Sequence, residues 1–414
     1  MSCTESCRSW EGDIHDMDAD IEFADDGDRR EGRKESESSR ESGQSTPKQL
    51  APKKKAKRVK EKTLREELGM DRKKNYKQSS KYTGRGASIP QVIPPEDLTF
   101  MRHLFYLIRI NTEEPPTIKR QQELRTRIHM SEVEAKYNNE LLITHSKVLD
   151  PDTGLPKLVD PRRNAQLPWD IVADARALLA RWENKKFDSS ILRGILIDKK
   201  AKGISYKSDP EYKYQRVPAD VVGHNGLVNG QWWPIRQGTL RDGAHGEVEA
   251  GISGKAGKGV FSIVMSNGGY ADKDEGDVSS LLILSMLLLR FQVCTSNVLS
   301  LLQTIYYCGT ESDTSTPTNG TGLLRSTLSR YRHPIRVLRA PHKRSLYAPV
   351  EGIRYDGLYD IVDEELLNRD TAFYRFKLVR VEGQDPIRHG GPERRPTREE
   401  VMEKERVWRT FANN

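Results

Sequence analysis

Cysteine is scarce. Cys3, Cys7, Cys294 and Cys308 are the four in 414 residues. They are too few and too scattered for a disulfide framework or a clustered zinc module, so a RING-type site is excluded and a reducing compartment is expected. Apolar residues are also thin: 35% are hydrophobic and 7% aromatic, against 31% charged. Part of the chain therefore lacks the apolar surface needed to offset the entropy of ordering. Long apolar runs are missing apart from residues 278–290, which end in Arg290 and are too short to span a bilayer. No membrane partner is expected. The N-terminus has no basic-then-apolar pattern, so secretion is not expected either. His103, His129 and His145 stand singly, and no His-rich nuclease motif is present. The sequence points to no enzyme, no metal site and no cofactor.

What is present is charge. Lys and Arg outnumber Asp and Glu by 68 to 60, a formal net charge of +8 with a pI near 9.1. Such a balance suits a polyanionic partner. The charge is segregated. Asp13, Asp16, Asp18, Asp20, Glu22, Asp25, Asp26 and Asp28 crowd the first stretch, and a basic, Ser- and Lys-rich stretch follows to about residue 90. Residues 1–90 are predicted to be a disordered tail, acidic then basic. Within it, Lys53, Lys54, Lys55, Lys57 and Arg58 form a cluster similar to a nuclear-import signal, and the expected location is the nucleus. The same cations would also meet DNA phosphates without sequence preference.

Residues 95–200 read as a small helical region. Leu98, Met101, Leu104, Phe105 and Ile108 recur at helical spacing until Pro115 and Pro116 stop them. Trp169 to Trp182 carries a second apolar face, and residues 151–168 between read as loop. Residues 201–219 read as a polar linker. After it the pattern turns to short strands punctuated by glycine, over 220–387. Tyr355-Asp356-Gly357 has strand formers on both sides, and Asp-Gly predicts a tight hairpin turn there. Residues 388–414 read as a charged tail with a helix from Arg398 to about Phe411.

The order of motifs across 220–387 resembles the SRA domain (SET- and RING-associated, also called YDG). It is carried by Gly251-Ile252-Ser253-Gly254, Val260 to Tyr270, Pro334 to Arg339, Tyr355-Asp356-Gly357 and Phe373 to Val381. The resemblance implies a twisted, PUA-like β-barrel with flanking helices, after the tail and helical region. It also implies non-enzymatic binding of DNA carrying 5-methylcytosine, with the modified base turned out into an aromatic pocket. Tyr270, after Gly268-Gly269, would stack on one face and Tyr307 on the other. Cys308 falls where the family usually has Thr. Asp272 and Asp274 are the candidates to accept from the cytosine amino group, with Asp274 favoured. His245, Lys255, Lys258, Arg325, Lys343 and Arg344 are candidates for phosphate contacts, and Thr318 to Arg325 matches a shortened finger loop. Chromatin proteins are further expected partners. The alternative readings are an RNA-binding PUA-like barrel, or the recognition part of an enzyme complex with a ubiquitin ligase or nuclease partner.

Turning out a base costs a few kcal/mol. Two stacking faces at roughly 1–3 kcal/mol each can offset that. A buried methyl adds only about 0.8 kcal/mol, so pocket shape must share the discrimination. Residues 278–303 interrupt this pocket. The 26-residue segment, beginning Val-Ser and ending Gln, reads either as a retained intron or as a genuine apolar insertion.

Overall fold

The computed structural model describes residues 93–164, 166–200, 203–266, 273–274, 303–343 and 345–412. The N-terminal tail with its lysine cluster, Tyr270, Asp272, Arg344 and residues 278–302 lie outside the described residues.

The helical region begins with α1, Pro95–Glu113, which has proline at its first position and Glu96 and Asp97 in its first turn. Both suit a helix N-terminus, where N–H groups lack partners and the dipole favours acids. α2, Ile118–Val133, is capped by Thr117, whose hydroxyl accepts from Arg120 N. α3 spans Glu140–Ser146, α4 Leu155–Val159 and α5 Trp169–Glu183. They enclose one core containing Met101, Leu104, Leu107, Ile108, Leu124, Ile128, Ile171, Leu178 and Trp182. The stretch read as loop carries α4, because Leu155 and Leu158 are fully buried there.

Strands β1, Ile195–Lys200, and β2, Gly203–Ser208, form an antiparallel hairpin. A 3-10 turn over Pro210–Gln215 follows, so the described part of 201–219 carries regular structure.

The main sheet has eight strands. They are β3 Trp232–Trp233, β4 Ile252–Lys255, β5 Gly259–Met265, β6 Lys273–Asp274, β7 Thr304–Cys308, β8 Ile335–Arg339, β9 Ile353–Asn368 and β10 Phe373–Arg380, with the short helix α6, Arg236–Arg241, after β3. The path is β4-β5-β8-β9-β10-β7-β6, with β3 paired to β9. Among the described residues only β5 and β8 are parallel to each other. The expected closed barrel is not formed. β4 and β6 end the path, and no ladder joins them among the described residues. Closure needs a continuous ladder between the outer strands. Here β4 has four residues and a register shift at Ser253/Gly254, and β6 has two. Each face is covered instead. On one, Val260, Ile263, Val337 and Tyr359 pack with Leu324 of α7, Asn319–Ser326. On the other, Val264, Leu338 and Tyr355 pack with Trp233, Leu227 and Ala244.

The Asp-Gly turn is also corrected. β9 runs unbroken through Asp356 and Gly357 for 16 residues. Val337 pairs with Gly357 and Leu338 with Tyr355, so Asp356 is the extra residue of a bulge. Gly357 takes φ +110° there, a conformation glycine accepts without a Cβ penalty. One extra residue reverses which side chains face which way. Ile353 and Tyr355 therefore enter one core and Tyr359 and Ile361 the other. Thr318 to Arg325 is not a loop either: Thr318 caps α7, which leads into a π-turn at Thr327–Tyr331.

After β10, residues 388–397 cross back to the helices. α8, Arg398–Ala412, opens with a reciprocal capping box: Glu400 N donates to Thr397 Oγ1 and Thr397 N to Glu400 Oε2.

Candidate nucleic-acid interface

β7 reads Thr-Ile-Tyr-Tyr-Cys, a run of strand formers, and pairs with β10 so that Tyr307 meets Phe376 and Cys308 meets Arg375. Ile305 and Tyr307 point into the core while Tyr306 stays half-buried under the Arg375 guanidinium. The Tyr307 side chain reaches across to the segment before β4. A Cβ at Gly251 would sit 2.8 Å from its hydroxyl, so this approach requires glycine. β6 sets Asp274 in register with Ile305, two residues before Tyr307. Cys308 is buried.

The 245–250 segment before β4 is held by Arg236, which the sequence did not single out, and by His245, which it did. Arg236 donates to the carbonyls of Val248 and Glu249 at 3.1 and 2.7 Å. Burial pulls its guanidinium below the ordinary value. His245 is fully buried. Its Nδ1 lies 2.9 Å from Ser262 Oγ and its Nε2 2.9 Å from the Ala250 carbonyl. Burial pushes its pKa down to about 4, so at neutral pH the ring is uncharged and ties 245–250 to β5. It offers no cation to a phosphate.

The other cations lie apart. Lys255 and Lys258 are exposed on the β4–β5 turn, at the end of β5 away from Met265, and Lys255 sits 3.6 Å from Asp220. Arg325 forks onto Glu364 at 3.0 and 3.1 Å and lies over the Tyr374 ring. Lys343 is exposed in the loop after β8. Lys255 and Lys258 precede β5 at one end, and Lys343 follows β8 at the other, since the two strands run parallel from Ser262 and Arg336 to Met265 and Arg339.

The Tyr-Asp-Gly triplet has a structural part. The Asp356 carboxylate is fully buried, 2.6 Å from both Arg354 Nε and Arg339 Nη1. Burial raises such a carboxyl, but the two guanidinium groups outweigh it and hold Asp356 below the ordinary range. Arg354 also donates to the carbonyls of Arg388 and Arg395 at 2.9 and 3.2 Å. Tyr355 is buried with its hydroxyl 2.8 Å from His224 Nδ1. The arginines of β8 were visible in the sequence as charges inside an apolar strand. Among the described residues no group of three or more His, Cys, Asp or Glu could hold a metal ion. No described helix is long and apolar enough to cross a membrane.

Residues 221–384 match the SAD/SRA domain family, and this part of the chain is a SAD/SRA domain. It is similar to the putative E3 ubiquitin-protein ligase ORTHRUS 4 of Arabidopsis thaliana, 31% identical over 164 residues, covering 39% of this chain and 24% of that protein. It is also similar to a UHRF1-like protein of Cryptococcus neoformans var. grubii, 32% identical over 171 residues, covering 40% of this chain and 48% of the relative. The chain thus spans between about a quarter and a half of these relatives' lengths. Among solved structures, the SUVH5 SRA domain in complex with hemimethylated CG DNA is 22% identical, covering 41% of this chain and 99% of that one, with a TM-score of 0.28.

Proposed function

We propose that the SAD/SRA domain binds DNA containing 5-methylcytosine without catalysis and acts as a nuclear reader of methylated chromatin. The observation that carries this reading is the family match over 221–384, which spans both halves of the sequence motif. Tyr307 and Tyr270 would clamp the extruded base, and Asp274 or Asp272 would accept from its amino group, which thymine lacks. β6–β7 pairing supports Asp274, since it sets that residue's backbone beside the strand of Tyr307. Lys255, Lys258, Lys343 and Arg344 would meet phosphates, and the tail cluster Lys53 to Arg58 would add sequence-independent attraction and direct import to the nucleus.

The test is competition binding at one stated salt concentration. Duplexes differing only in the cytosine methyl group compete with each other and with an RNA of the same sequence. Preference for the methylated duplex, lost in Tyr307→Ala and Tyr270→Ala, is the expected result. Equal affinity for the two duplexes would overturn the reading.

A further inference from the structure

The pairing of β9 changes halfway along. From Arg354 to Tyr359 it is flanked by β8 on one side. That ladder stops at Ile335, and the residue before it is Pro334, which has no N–H to donate. Beyond Tyr359, β9 continues to Asn368 paired only with β10. Asp360–Asn368 therefore presents a strand edge without a neighbouring strand among the described residues.

Beside the start of this edge lies an open cavity of about 430 Å³, between the π-turn and β9, lined by Thr327, Leu328, Arg332, His333 and Asp360–Val362. Val362 is 48% exposed and Leu366 44% exposed on the free stretch. An unpaired edge with apolar side chains and a groove alongside is the geometry that accepts an added strand. The edge is also acidic. Asp360, Asp363, Glu364, Glu365 and Asp370 fall within eleven residues. Glu364 is tied to Arg325 and Glu365 to Arg375, while no ion pair joins Asp360, Asp363 or Asp370 to a cation among the described residues. Burial raises the Asp360 carboxyl with no cation beside it to offset the effect. A second copy of the same edge would set acid against acid, so the charge rejects self-pairing and selects a cationic strand.

We infer that the free edge of β9 is a docking site for this chain's own lysine-rich segment, Lys53–Lys60, added as a strand along Asp360–Asn368. Five cations fall within the six positions Lys53–Arg58, and Glu61 follows Lys60, so the segment carries an acid to set against Arg332 as well as cations for Asp360 and Asp363. The 33 residues from Lys60 to Ile93 form a tether that extends to roughly 110 Å. The docked segment would be unavailable to nucleic acid or an import receptor, so a polyanion and the β9 edge would compete for the same lysines.

The test uses amide hydrogen exchange of the full chain at low salt. Replacing Lys53, Lys54, Lys55, Lys57 and Arg58 with Glu should speed exchange at 360–366 by about tenfold, the change given by losing about 1.4 kcal/mol of docking. Exchange at 353–359, which pairs with β8 and at its two ends with β3 and β10, should stay unchanged and reports that the sheet is intact. Adding Asp360→Lys and Asp363→Lys to that variant should restore protection. Protection in the natural chain should also fall in about 1 M salt, where screening shortens to ~3 Å. Equal exchange at 360–366 in the natural and Glu-substituted chains would overturn the inference. So would protection that only an added foreign lysine-rich peptide supplies.

Discussion

At the scale of single residues, Asp356 and Gly251 do different work. Asp356 bridges two buried guanidinium groups, and Arg354 passes that anchorage on to the backbone of Arg388 and Arg395. Removing one partner of a buried ion pair leaves an uncompensated charge. Asp356→Asn should therefore destabilise the domain by about 3–5 kcal/mol, read as a lowered denaturant midpoint at unchanged m-value. Gly251 matters through space. A Cβ there would displace the Tyr307 hydroxyl or the backbone beside it. Gly251→Ala should weaken binding of a methylated duplex about tenfold, roughly 1.4 kcal/mol, while Tm moves by only a few degrees. An affinity loss that tracks the Tm loss would instead mark a purely structural residue. Tyr355-Asp356-Gly357 was legible as a marker of the family, but its geometry was not. Asp-Gly tolerates left-handed backbone in a turn and in a bulge alike, and only the register against β8 separates the two.

At the scale of elements, the β6–β7 hairpin is informative. Asp274 pairs with Ile305, so the strands on either side of the 278–303 segment are antiparallel neighbours. Without that segment, Glu275, Gly276 and Asp277 would join them, a three-residue loop of ordinary hairpin length. A chain lacking 278–303 should fold with its thermal midpoint and far-UV circular dichroism per residue preserved, and it should bind the methylated duplex at least as tightly. Loss of cooperative melting would show that the segment belongs to the fold. Sequencing the mature transcript separates the retained intron from the genuine insertion. Helical spacing placed α1 and α5 well, because both are long and end at prolines or caps. It missed α4, since five residues hold too little periodicity and their helix depends on burial against α1 and α5. The family resemblance implied a finger loop over Thr318 to Arg325. The apolar face of the sheet, reached by Leu323 and Leu324, decides for helix.

At the scale of the whole molecule, the helical region and the SAD/SRA domain are joined through buried charge. Arg395 contacts Glu132 at 2.8 Å and Asp174 at 2.9 Å, and also Glu400 at 2.9 Å. Arg388 contacts Asp174 at 2.6 Å. His129 lies 2.9 Å from Asp174 and 3.7 Å from Glu399. Burial alone would lower the His129 pKa, but hydrogen bonds to Asp174 and Glu399 outweigh it and the pKa lies above the ordinary 6.5. A raised folded-state value gives stability that is whole below about pH 6.5 and is lost as pH rises through that higher value. Thermal stability should therefore fall as pH rises above about 6.5 and through the raised His129 value, and His129→Gln should flatten the fall. A pH profile identical in the two proteins would remove His129 from this role.

The sequence by itself determined the segregation of charge, the two main helices and the family of the strand-rich part, because these are properties of composition, period and short motifs. Only the tertiary structure decided that the sheet stays open, that Asp356 makes a bulge, that His245 is a neutral buried ring, and that Arg388 and Arg395 fasten the helices to the sheet. Each of those depends on which distant residues meet. Strand register, desolvation and ion pairing are set by contacts from 17 positions apart, as for His245 and Ser262, to 263 apart, as for Arg395 and Glu132, and no local pattern encodes them.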